Sequence, residues 1–266
     1  MLQNLQLLIR TPVVGDTGAL ARIHLAAFKD DRLVRLMYSG ANHWKAVDAM
    51  IERQSSHVGY EMRLAMAKDV DRIAGWLCCS LMDPNMPDQE DLASLEWTTA
   101  ALRVVDDAEE RLRKTSGKPD EAAERDRRRS LWKAISDASS EAFSSSPDLV
   151  RQTRYIVLNT VVTDPAFRGR GVGSELLRWA TNYADSEEIA IRAQLSPIAY
   201  GLFRKAGFEE VHSLVLDLDG FYYGGVAKEH RTKSKWGNHE IKFMVRKARN
   251  QSEVDRPSQQ LQPQLP

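Results

Sequence analysis

"TDPAFRGRGVGSELL", residues 163–177, places three glycines and two arginines in the six positions from Arg168 to Gly173. It follows the apolar run "YIVLNTVV" at 155–162, which has the length and composition of a buried central strand. It precedes a stretch with Leu176, Leu177, Ala180 and Tyr183 at helical spacing, which predicts a helix over about 174–185. Strand, glycine loop and helix together are a general recipe for holding phosphate. Unpaired N–H groups at the helix start point outward, the helix dipole adds positive potential, and glycine lets bare backbone come close. Arg168 and Arg170 add charge-assisted donors. A P-loop would need GxxxxGK[ST] after a strand, which is missing here. A dinucleotide fingerprint would need GxGxxG, and the third glycine here comes one position early. A surface turn with coincidental arginines is the plain alternative. What remains is the signature Arg168-x-x-Gly171-x-Gly173.

The rest of the chain bounds that reading. Its 266 residues suit one large domain, or one domain with an insertion. Lys+Arg and Asp+Glu are equal at 37 each, which argues against a general nucleic-acid or membrane-surface binder. The two cysteines, Cys78 and Cys79, are adjacent, so a disulfide between them is not expected. No His/Cys spacing suggests a metal site. A reducing compartment and a cytoplasmic location are the expectation. The short apolar run at the start is not a signal peptide, and no stretch is long enough to span a bilayer.

Residues 7–14 read as a first strand. Asp16 is placed to cap the helix carrying Leu20, Ile23, His24 and Ala27. A second helix runs through "NHWKAVDAMIERQ". "RLAMAKD" and "IAGWLCCSL" form a hairpin across "VDR". Residues 88–146 change character, rich in Glu, Arg, Ala and Asp, and predict two helices broken near 117–119. Leu131, Trp132, Ile135 and Phe143 form the buried stripe of the second. The basic run "RDRRR" at 125–129 reads as a solvated helix face rather than a binding patch. After the glycine loop come a strand "EIAIRAQL", a helix from Ser196-Pro197 to Gly207, and strands "EEVHSLVLDL" and "IKFMVRK". The segment between those last two strands is a long aromatic loop, in which "FYYGG" at 221–225 could line an acceptor pocket. Trp76, Trp132 and Trp179 are core candidates. The chain from 250 to 266 is Gln/Pro/Ser-rich and predicts a disordered tail.

"VVTDPAFRGRGVGSELL" resembles the core motif of the GNAT superfamily of acetyl-CoA-dependent N-acyltransferases, and "LSPIAYGLFRKAGFEEV" at 195–211 resembles its second motif. "ARIHLAAFKDD" and "FMVRK" sit where these proteins carry their first helix and last strand, the former most like fungal members. The resemblance covers 1–82 and 150–247. It implies an α/β acyl-CoA N-acyltransferase fold, a mixed central sheet with splayed core strands, plus a helical insertion. On this reading 1–249 is a single domain and 83–149 lies inside it.

The resemblance implies an N-acetyltransferase. Backbone groups of Val161, Val162 and Thr163 would pair with the pantetheine arm of acetyl-CoA. Arg168, Gly169, Arg170, Gly171, Val172, Gly173 and Ser174 would hold its diphosphate. The acceptor would be an amine, a small molecule before a protein, with no nucleic acid or membrane partner; the insertion offers a homodimer surface. The sequence departs from the family in its titratable groups. The usual general acid is a tyrosine four residues before the Gly-Phe pair, and that position is Phe203. Tyr200, one turn earlier, is the substitute or merely packs. Fungal relatives often carry Glu on the core strand where this chain has Asn159, which cannot accept a proton but could hold a water. Ser196 either contacts the pantetheine arm or only caps its helix. His24, Asp217, His239 and Glu240 are further candidates for the base. The alternative is a catalytically weak or inactive acyl-CoA-binding module that senses or scaffolds.

Overall fold

The computed structural model of the chain describes residues 5–38, 43–57, 59–85, 120–145, 154–223 and 236–249. The described chain runs β1 (Leu7–Arg10), α1 (Thr17–Phe28), α2 (Arg32–Met37), α3 (His43–Ser56), β2 (Tyr60–Ala67) and β3 (Arg72–Met82). It continues with α4 (Asp120–Ser144), β4 (Tyr155–Thr163), α5 (Val172–Ser186), β5 (Ala190–Leu195), α6 (Pro197–Lys205), β6 (Glu209–Asp217), α7 (Leu218–Tyr222) and β7 (Asn238–Arg246). The strands form one mixed sheet in the order β1-β2-β3-β4-β5-β7-β6. Only β4 and β5 are parallel, joined through α5, the long crossover that parallel neighbours require.

Strand alternation sends side chains to two covered faces. One face, with Leu77, Cys79, Ile156, Leu158, Ile191, Ala193 and Met244, lies beneath α5 and α6. The other carries two separate clusters. α1 and α3 cover Met62, Leu64, Trp76, Cys78 and Val162. α2, α4 and α7 cover Ala190, Leu216, Ile241, Phe243 and Val245. At about 25 cal/mol per Å², each fully buried large side chain contributes roughly 1.5–3 kcal/mol, so these clusters hold the sheet between its helices.

Two features of β4 create a gap in the sheet. Its pairing with β5 runs only from Tyr155↔Ala190 to Leu158↔Ala193. Its pairing with β3 continues to Thr163↔Gly75, so residues 159–163 stay anchored on one side and are open on the other. The register slips between Cys78↔Thr160 and Cys79↔Leu158, leaving Asn159 as the extra residue of a β-bulge. The extra residue switches parity: Ile156 and Leu158 lie with α5 before it, whereas Val161 does so after it.

Several expectations need correction. The first strand ends at Arg10 rather than residue 14. Asp16 does not cap α1 with its side chain; its carboxylate binds Arg10 at 2.7 and 3.1 Å and accepts from the Val13 amide. α2 was not expected; Asp31 caps it, accepting from the Val34 amide at 2.9 Å. α7 occupies the start of the expected aromatic loop, whose remainder, 224–235, lies outside the described residues. Of the two predicted insertion helices, the second is α4, directly after Pro119, while 86–119 and the tail 250–266 lie outside the described residues. The basic run is not simply a solvated face. Arg128 is buried, and Arg127 lies 5.4 Å from the Tyr222 ring and donates to the Tyr222 carbonyl. Trp76 and Trp132 are core residues as expected, but Trp179 is only partly buried, stacked on Tyr183 and covered by the Arg63 guanidinium at 4.3 Å. Both cysteines are free thiols.

Candidate active site

The glycine loop forms because each residue meets a backbone requirement. Asp164 accepts from the Ala166 amide at 2.8 Å, and Pro165 opens a single tight turn that buries Phe167. Gly169 and Gly171 then take φ of 72° and 85°, the left-handed region that L side chains rarely adopt. Gly171 is the residue before α5, so the amides of Val172, Gly173 and Ser174 form its first turn and have no intrahelical acceptor. A Cβ on Gly169 or Gly171 would meet nothing within 4 Å, so the concave side of the loop is open. A Cβ on Gly173 would lie 3.0 Å from Leu202 Cδ2; there glycine lets α5 approach α6. The result is a ring of free N–H groups at a helix N-terminus, which is a site for an anion.

The two arginines divide. Arg168 Nη2 donates to the Ala27 carbonyl at 2.9 Å, so this side chain ties the loop to the end of α1. Arg170 lies 5.5 Å over the Phe167 ring, next to the open side. Val161 and Thr163 are half-buried on the α5 side of the open strand, and Val162 is buried toward α1. Gly75, which sequence reading missed, faces Thr163. A Cβ there would lie 2.4 Å from the Val162 carbonyl oxygen and 2.8 Å from Val172 Cγ1. No local pattern signals this, since the crowding comes from β4 and α5.

Asn159 is buried at the bulge, where its Oδ1 accepts from Ser80 Oγ at 3.1 Å. Phe203 is buried edge-on against Phe208. Tyr200 lies on the β7 flank of α6, with Lys242 Nζ 5.0 Å and the Arg204 guanidinium 6.0 Å from its ring. Ser196 occupies the cap position of α6 through its backbone, but its hydroxyl makes no capping bond, contrary to a capping role.

The candidate bases are dispersed. His24 is buried between Phe28 and Trp76, and burial, with a smaller effect of His43, pushes its pKa down to about 3. It is therefore neutral, and its Nδ1 has no hydrogen-bond partner. Asp217 caps α7 through the Gly220 amide. Glu240 is half-buried and held by Lys242 and Ser213, which lower its pKa in that order. Burial lowers the His239 pKa, against the opposing pull of Asp31. The last three sit on the β6–β7 ribbon beyond its pairing with β5. Among the described residues no group of His, Cys, Asp and Glu could hold a metal ion.

Residues 140–210, from the end of α4 through the open strand and loop to the start of β6, match the family model described as "Acetyltransferase (GNAT) domain". Over those residues the chain is similar to the GNAT acetyltransferase domain. Its seven-stranded mixed sheet, parted between β4 and β5, is the GNAT acyl-CoA N-acyltransferase fold. Solved GNAT structures share that fold at low sequence identity. Arylalkylamine N-acetyltransferase 2 from Aedes aegypti superposes with a TM-score of 0.58 at 12% identity, over 92% of this chain and 100% of that one. The mosquito arylalkylamine N-acetyltransferase like 5b gives 0.52 at 14% identity, over 91% of this chain and 100% of that one. A protein from Corynebacterium glutamicum, described as histone acetyltransferase HPA2 and related acetyltransferase, gives 0.50 at 15% identity, over 93% and 99%. No curated protein matches the chain by sequence. In this protein the glycine loop, the open strand and the bulge lie along one continuous stretch, residues 159–174. No helix among the described residues is long and apolar enough to cross a membrane.

Proposed function

We propose that this GNAT protein is an N-acetyltransferase that uses acetyl-CoA and a small-molecule amine. The observation that carries the reading is the continuity of the open β4 edge with the free amides of the Gly169–Ser174 loop. An extended arm can add to the strand edge while a diphosphate sits on the helix start. The backbone of Val161, Val162 and Thr163 would take the arm. The amides around Gly171, with Arg170 beside them, would take the phosphates. Arg168 would act indirectly, by fixing the loop to α1. The bound acetyl-CoA supplies an activated thioester. The chain's own residues supply proximity, which accounts for much of the barrier lowering in such direct transfers. The amine nitrogen bonds to the acetyl carbon as the carbon–sulfur bond breaks, and the amine's proton ends on the leaving thiolate or on water. The acceptor is read as a small molecule rather than a basic peptide, and the balanced charge argues against a general nucleic-acid or membrane-surface binder.

A second reading has specific support. With Phe203 sealed in the core and Tyr200 beside Lys242, neither tyrosine position supplies an obvious acid at the strand gap. The chain would then be an acyl-CoA-binding module. One experiment separates the readings: free thiol is followed during incubation of the protein with acetyl-CoA and a panel of amines, alongside calorimetry with CoA. Amine-dependent thiol release supports the enzyme. Binding without release favours the module. Absence of CoA binding overturns both.

A further inference from the structure

Where β4 and β5 part, the next residue along each strand bears a carboxamide. Asn159 follows Leu158, and Gln194 follows Ala193, the last paired residues. Both belong to the face opposite α5. Asn159 bonds Ser80, whose strand neighbours Cys79 and Leu81 point to the α5 face. Gln194 lies between Ala193 and Leu195, which also point there. Each carboxamide is held by a buried serine. Ser80 Oγ donates to Asn159 Oδ1 at 3.1 Å. Gln194 Nε2 donates to Ser139 Oγ at 2.8 Å, and Ser139 is fully buried on α4, within the helical insertion.

These two bonds have opposite polarity, and that decides what remains. Asn159 uses its oxygen, so its N–H₂ is left to donate. Gln194 uses its N–H₂, so its oxygen is left to accept. Among the described residues, neither group has a further partner. In this arrangement the fork is flanked by one donor and one acceptor, both uncharged. Such a pair matches a carboxamide or peptide unit, which offers one carbonyl oxygen and one N–H. It offers an ammonium or carboxylate only half a match.

We propose that Asn159 and Gln194 recognise a neutral carboxamide carried by the acceptor amine, and that Ser80 and Ser139 are positioning residues that hold the two carboxamides in place. This rests on the acetyl-transfer reading and deepens it: the acceptor is an amine that also carries an amide. It also gives α4 a part in the site, since the insertion supplies Ser139.

The test uses the full chain loaded with CoA and two probes that differ only in the amide, phenylalaninamide and 2-phenylethylamine, with affinities measured by titration. The wild type is expected to prefer phenylalaninamide by about 5–10-fold, the worth of one to two net hydrogen bonds. Ser80→Ala and Ser139→Ala should each reduce that preference to below about 2-fold, while the affinity for 2-phenylethylamine stays the same. Ser80→Thr, which keeps the hydroxyl, should restore it. The affinity for CoA and the melting temperature report that each variant is folded and loaded. Equal affinity of the wild type for both probes, or an unchanged preference in both alanine variants, overturns the proposal and leaves the acetyl-transfer reading intact. Loss of CoA binding by the wild type instead overturns that reading, and this proposal with it.

Discussion

Replacing Gly171 by glutamate separates what the loop does for the fold from what it does for a ligand. The residue sits at φ 85°, so any side chain costs strain of about 1 kcal/mol. For a chain of this size that lowers the melting temperature by roughly 2–4 °C. There is no steric cost, because a Cβ at this position meets nothing within 4 Å. The new carboxylate would share the open side of the loop with the first-turn amides. Two unit charges about 5 Å apart, at an effective dielectric near 20, interact by about 3 kcal/mol. That corresponds to a Kd for CoA weakened by roughly 150-fold. Gly171→Lys carries the same strain with the opposite charge, so it should melt alongside the glutamate variant yet bind CoA at least as well as the wild type. Calorimetry with CoA at low and moderate salt reads both, and the gap between variants should narrow as salt screens it. If Gly171→Glu binds CoA with unaltered affinity, or if both variants lose affinity equally, the loop does not grip a diphosphate by the electrostatics argued here.

Four further outcomes follow from the packing and the titrating groups. Gly75→Ala would press a methyl group against the Val162 carbonyl at 2.4 Å, a backbone contact that cannot swing away; about 2–3 kcal/mol of stability should be lost, and a melt matching the wild type would refute the close approach. His24 titrates near 3 when folded and near 6.5 when unfolded, so the unfolded chain takes up the proton first; stability should fall by about 2 kcal/mol as pH drops from 6.5 to 5, and His24→Met should remove that acid slope in urea melts. Burial pulls the Asp185 carboxyl up, but Arg246 and the Arg249 amide outweigh it, so its pKa is lowered; Asp185→Asn leaves the buried Arg246 unpaired and should cost on the order of 3 kcal/mol at neutral pH, a difference that shrinks as pH falls below about 4. Burial raises both cysteine thiols, Cys79 to about 12; a thiol reagent at pH 8 should label neither residue in the native protein and both in urea, and rapid native labelling would contradict their burial.

What the sequence made legible was local. The glycine loop, the hairpin of β2 and β3 and the Ser-Pro start of α6 are written in turn residues and periodicity within a few positions of each other. What it hid was non-local. Ser80 and Asn159 are 79 residues apart, and Gln194 and Ser139 are 55 apart, so no window reveals either pair. Arg168 looks like a phosphate ligand beside its glycines, yet its guanidinium reaches a carbonyl 141 residues earlier. Asp16 stands where a cap belongs, but an arginine from β1 bonds it instead. α2 and α7 were missed because six and five residues carry too few turns for a helical period to register.

The bulge at Asn159 explains how one strand can serve two faces. An unbroken β4 would send alternate residues to fixed sides, and the residues beneath α5 would continue as 160 and 162. The extra residue reverses this, so Val161 lies toward α5 while Asn159, Thr160 and Val162 turn the other way. An open strand edge inside a domain leaves unpaired backbone groups and would ordinarily invite repair or aggregation. Here β5 runs only two residues past its last pair with β4, to Leu195, and there its other edge is held by β7. Full pairing with β3 holds the edge in place from the other side. The gap is therefore a stable consequence of strand lengths and one inserted residue. It leaves the face of α5 to bind the anion and the opposite face, with its two serine-held carboxamides, to choose the acceptor.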